Sequence, residues 1–127
     1  MVVEDKFPAQ VLEQDRLLQL SVDADVLYCV VEEHMMLSHS SFFSGGRRLW
    51  MAEHNAQRAW DDLISVGSLP EEFDTLRRDL FAKQMELGGS EADVDYIFDV
   101  PLRLAQELCG YRHDEGSYTY VVLDVDV

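Results

Sequence analysis

Apolar residues recur at helical spacing along much of this 127-residue chain. After Pro8, the positions Val11, Leu12, Leu17, Leu18 and Leu20 predict a first helix over about 8–20. Residues 23–37 have a β-rich centre, VLYCVV. Their length, with Ser21 or Asp23 as a cap, favours a helix. The Ser- and Gly-rich stretch SHSSFFSGG (38–46) reads as a break. From 47 to 66, Leu49, Ala52, Ala56, Ala59, Trp60, Leu63 and Ile64 form one face of the best-patterned helix, and Gly67 stops it. Ser68 then caps another helix. Pro70, Glu71, Glu72 and Asp74 lie near its start, Phe73, Leu76, Leu80, Phe81 and Met85 form its stripe, and Gly88-Gly89 end it.

Two stretches near the C-terminus read differently. Residues 91–100 alternate as a strand would, yet Ser90 with Asp93 resembles a capping box, and Asp99 with Pro101 opens a helix running through Leu104, Ala105 and Leu108 to Gly110. The segment SYTYVVLDVDV (117–127), β-branched and aromatic, is the clearest strand. It needs a neighbour for its backbone, and residues 1–7, VLYCVV and 93–99 are the candidates. Together these elements predict a single α+β domain over residues 1–127, helix-dominated, with a small antiparallel sheet that includes the C-terminal strand 117–127.

Composition adds charge to this picture. Against 25 acidic residues stand 10 basic ones, a formal net charge of −15. That sign repels phosphate, so direct binding to nucleic acid or to an anionic membrane is not expected. No apolar run approaches a membrane span, and the N-terminus lacks a basic region followed by an apolar one, so a cytoplasmic protein is expected. Cys29 and Cys109 sit in apolar surroundings and read as buried free thiols.

The charge is also unevenly placed. Asp23, Asp25, Glu32 and Glu33 form one acidic segment. Glu91, Asp93, Asp95 and Asp99 form a second, and Asp114, Glu115, Asp124 and Asp126 a third. Each carries −4 with no basic residue, so twelve of the fifteen net charges lie in three short stretches. Residues 46–63 are neutral. On a strand, acids two apart lie about 6.8 Å from each other on one face, a spacing of the order met along a nucleic-acid backbone.

Motifs for catalysis are weak. Asp93, Asp95 and Asp99 lack the Gly and Glu that a calcium loop requires, since Phe98 and Leu104 stand there. The four histidines show no helical metal-pair spacing, so no metal and no cofactor are expected. Cys109 with His113, and Ser41 or Ser44 beside Gly45-Gly46, lack an oxyanion-hole context. Gly45-Gly46-Arg47-Arg48 offers amides and positive charge to an anion, with a plain loop-to-helix junction as the simpler reading.

Two short segments resemble known families. YVVLDVDV resembles the first motif of haloacid-dehalogenase-type phosphatases, which would make Asp124 the nucleophile and Asp126 the acid/base. The loop, helix and later motifs of that family do not follow, so an ordinary terminal strand is expected. SVGSLPEEF (65–73) is similar to the Leu-Pro-x-x-Phe/Tyr helix start of SUKH-type immunity proteins. The strands which that family places after the Gly-Gly are not evident here.

The expectation is therefore a non-enzymatic, acidic inhibitor or binding protein, a monomer or homodimer. Its partner would be a basic protein, a nuclease or a nucleic-acid-handling complex, whose nucleic-acid-binding surface it occupies as an immunity protein, an antitoxin or a phage anti-defence protein, with nucleic-acid mimicry as one route. The three acidic segments would carry recognition, with Tyr96, Tyr118 and Tyr120 as anchors. A small acidic secretion chaperone or adaptor is the alternative, and a metal-assisted enzyme a third.

Overall fold

The computed structural model describes residues 2–5 and 14–109. Its order is β1 (Val2–Asp5), α1 (Gln14–Leu20), β2 (Val26–Glu32), β3 (Leu37–Ser44), β4 (Arg47–Asn55), β5 (Ile64–Gly67), α2 (Glu72–Glu86), a 3₁₀ turn (Gly89–Glu91) and α3 (Asp99–Cys109). The five strands form one sheet in sequence order; β2 to β5 run antiparallel, and β1 joins β2 in parallel. The α+β class is thus what the chain adopts. The predicted strand 117–127, with Asp114, Glu115, Tyr118, Tyr120, Asp124 and Asp126, lies outside the described residues.

Two expected helices are strands. The stretch 23–37 contains β2 and the turn that leads to β3. Six of its apolar residues, Val26 to Val31, are buried in succession because both faces of β2 are covered, and such a strand loses its period-two signature. The stretch 47–66 holds β4, a loop and β5. In β4 the buried residues are Trp50, Ala52 and His54, a period of two. Its helical stripe arose from apolar residues that belong to separate elements.

The expected break at 38–46 is β3, which pairs with β2 and β4. Ser38, Ser40 and Ser41 are buried: the Ser38 hydroxyl donates to the Phe98 carbonyl at 2.7 Å, which makes a polar residue compatible with the sheet centre. Gly45 and Gly46, at φ +63° and +79°, supply the two positive dihedrals that a tight hairpin turn requires.

The helices after β5 follow the sequence more closely. In α2, Phe73, Leu76 and Leu80 face the core, but Met85 is exposed. Ser68 does not cap this helix; its amide bonds the Leu49 carbonyl, and Glu71 occupies the cap position. The strand reading of 93–99 fails, since turns lead into α3 at Asp99.

The sheet packs on both sides. One face places Leu27, Cys29, Trp50 and Ala52 against Phe73, Leu76 and Leu80 of α2 and Val100, Leu104 and Ala105 of α3. The other places Val26, Tyr28, Val30, Leu37 and Phe43 against Leu17 of α1. The Cys29 side chain is buried in this core, as expected.

Gln84, buried on α2, fixes the turn between the helices. Its Nε2 donates to the carbonyls of Gly89 (2.9 Å) and Val94 (3.0 Å), and its Oε1 accepts from the Tyr96 amide at 2.7 Å. Gln84→Leu removes all three bonds and leaves backbone groups unpaired. A loss of about 2–3 kcal/mol is expected in urea unfolding; an unchanged midpoint would show the bonds to be dispensable.

Candidate functional site at the end of strand β4

The C-terminal end of β4 gathers His39, His54, Glu53, Asp62 and Asp95 into one hydrogen-bonded chain. His54 faces the helices and is fully buried. Its Nε2 lies 2.7 Å from Asp95 Oδ2, its Nδ1 lies 2.5 Å from the Asp62 carbonyl, and Phe98 meets the ring edge-on. Both partners are acceptors, so a neutral ring would satisfy one and oppose the other. The geometry therefore holds His54 as the imidazolium. Burial works against that charge, but the bonds to Asp95 and the Asp62 carbonyl outweigh it, and the His54 pKa is raised.

Asp62 carries the chain around the end of the strand. Its Oδ2 accepts from the Asn55 amide (2.9 Å) and from Arg58 Nε (3.0 Å) and Nη2 (2.7 Å). Arg58 Nη2 also donates to Glu53 Oε2 at 2.8 Å. On the opposite face from His54, Glu53 Oε1 lies 3.1 Å from His39 Nδ1, and His39 Nε2 lies 3.0 Å from Ser41 Oγ. Register explains this meeting: His39 and Ser41 are two apart on β3, and Glu53 is directly across from His39. The His39 bond lowers the Glu53 pKa; burial opposes the shift, and Arg58 adds to it.

Ser41, His39 and Glu53 stand in the order of a nucleophile, base and orienting acid. Ser41, however, is only 1% exposed, in the middle of β3 between Tyr28 and Met51. A substrate carbonyl has no approach to that oxygen, and the set acts as a satisfied polar seam in the sheet.

The acidic segments have separate positions. Val31, Met36, Phe98 and Leu102 pack together, which brings the β2–β3 turn, with Glu32 and Glu33, beside the start of α3, with Asp95 and Asp99. Glu33, Glu91 and Asp93 are exposed, and Glu32 and Asp99 are half-buried. Asp95 is occupied by His54 and by the Phe98 amide. Because 93–99 is not a strand, Asp93 and Asp95 form no row. Tyr96 is half-buried with the Lys83 ammonium 4.7 Å from its ring centre. Asp23 and Asp25 lie at the other end of β2, where Asp25 accepts from Ser44 at 2.6 Å, near Arg47 and Arg48.

The sequence had not joined His54 to Asp95, His39 to Glu53, or Arg58 to Asp62. The alternation His39-x-Ser41 was the one local sign; His54 and Asp95, 41 positions apart, left no other. Comparison with protein-family models, with curated proteins and with solved structures found no match.

Proposed function

We propose that the protein is a non-enzymatic acidic binding protein whose face around the β2–β3 turn and the start of α3 occupies a basic, nucleic-acid-binding surface of another protein. One observation carries this reading: packing of Val31 and Met36 on Phe98 and Leu102 draws Glu32 and Glu33 to the same end of the sheet as Asp95 and Asp99. Glu33, Glu91 and Asp93 are exposed there or on the turn that leads there. Charge of this kind steers encounter with a cationic partner and makes it sensitive to salt.

The test compares the immobilised protein with its E33K/D93K variant in extracts of its native host. A basic nucleic-acid-binding protein should be retained at low salt, displaced by duplex DNA, and at least about tenfold depleted on the variant, the change given by ~1.4 kcal/mol of lost charge interaction. Retention that is indifferent to both DNA and the variant would overturn the proposal.

A second reading, a secretion chaperone or adaptor, draws on β5. Among the described residues this strand pairs only with β4, and Ile64 and Val66 are exposed on it. An extended client segment adds to such an edge.

A further inference from the structure

At the hairpin end of the sheet, away from the β2–β3 turn, a cleft of about 430 Å³ opens between β3, β4 and the entry to α2. Phe42, Arg47, Arg48, Trp50, Ser68 and Pro70 line it. Phe42 and Trp50 are cross-strand partners with their rings stacked, centroids 6.2 Å apart and planes at 19°. Trp50 is almost wholly buried and Phe42 half-buried, so the aromatic pair forms an apolar wall anchored in the core.

The polar groups around this wall are predominantly donors. Arg47 and Arg48 are both exposed. In a chain this acidic, Arg58, Arg77 and Arg78 each have a carboxylate within 4 Å, whereas Arg47 and Arg48 form no ion pair among the described residues. Ser68 contributes a hydroxyl. Two adjacent guanidinium groups beside an aromatic wall form a site for an oxyanion on an apolar body. The volume falls within the range of small-molecule sites.

We propose that this cleft binds a small organic anion, with its carboxylate or phosphate held by Arg47 and Arg48 and its apolar body against Phe42. The site is independent of the acidic face and opposite to it in sign.

Trp50 reports on its own cleft once the only other tryptophan is removed. The test uses the Trp60→Phe variant, with Trp50 emission and calorimetry followed on addition of 4-phenylbutyrate, phenyl phosphate, inorganic phosphate or benzyl alcohol. A probe of about a dozen heavy atoms should saturate with a Kd on the order of 1 mM. The stronger of the two organic anions identifies the head group.

Benzyl alcohol should bind at least about tenfold more weakly than either anion, and R47Q/R48Q should weaken both anions by about tenfold or more. Both arginines are exposed, so R47Q/R48Q should keep its thermal midpoint; Arg47→Gln and Arg48→Gln singly provide the same test with less change. No saturable binding of either organic anion, equal binding of benzyl alcohol, or binding indifferent to the arginines would overturn the site. Saturation by inorganic phosphate alone would overturn the role of the aromatic wall.

Discussion

Replacing His54 by alanine should lower the stability of the fold by about 3–5 kcal/mol, a large share of what holds a domain of this size together. The ring is fully buried and satisfies two acceptors at once. Its removal leaves a cavity beside Phe98 and strands the Asp95 carboxylate and the Asp62 carbonyl without their donor. Urea unfolding followed by circular dichroism measures the loss, and a change below about 1 kcal/mol would show that the seam contributes little.

The pH dependence has a definite sign. The folded pKa of His54 is raised, so its contribution is complete below the ordinary imidazole value of about 6.5 and fades as pH rises through the folded value. For Glu53 the folded pKa is lowered, so its contribution is present above the ordinary carboxylate range and is lost in acid. The wild-type unfolding midpoint should therefore fall as pH rises above the ordinary imidazole value, and the His54→Gln midpoint should not. Parallel curves for the two proteins would overturn the imidazolium assignment.

Gly67→Ala is the second large effect. Gly67 closes β5 opposite Trp50 with φ at +91°, and a Cβ there would lie 2.2 Å from the Leu49 carbonyl oxygen and 2.9 Å from Trp50 Cα. Both obstacles are backbone, so no side-chain rotation relieves them. The strand must shift, at a cost of roughly 3 kcal/mol or more from overlap and dihedral strain together. Loss of the β5 pairing opens the wall of the core at Trp50, and its emission should move to longer wavelength as stability falls. Gly45→Ala is the control. It has φ +63° with open space around it, and about 1–2 kcal/mol is expected. Equal losses at the two positions would show that the contact with Leu49 is not the cause.

The sequence was most legible where one face alone is buried. Phe73, Leu76 and Leu80 announced α2, and Asp99 with Pro101 announced α3. It was least legible in the sheet centre. β2 is buried on both faces and shows no alternation, while β3 hides its strand character behind buried serines, of which Ser38 bonds a carbonyl sixty residues away, that of Phe98. Around β4, Ala56, Ala59, Leu63 and Ile64 extended a helical pattern across what is a loop and a new strand. The charge segregation was visible, but its division between the two ends of β2 depends on packing of Val31 and Met36 against Phe98, which no local pattern encodes.

The sheet's strand order has a further consequence for how the chain assembles. From β2 to β5 every strand pairs with its successor in sequence, so each step closes a short loop and little entropy is lost before pairing contacts form. β1 is the exception: it is parallel to β2 and separated from it by the twenty residues that include α1. The β2–β5 meander is thus the kinetically local part of the fold, and β1 is the strand whose pairing carries the longest loop closure.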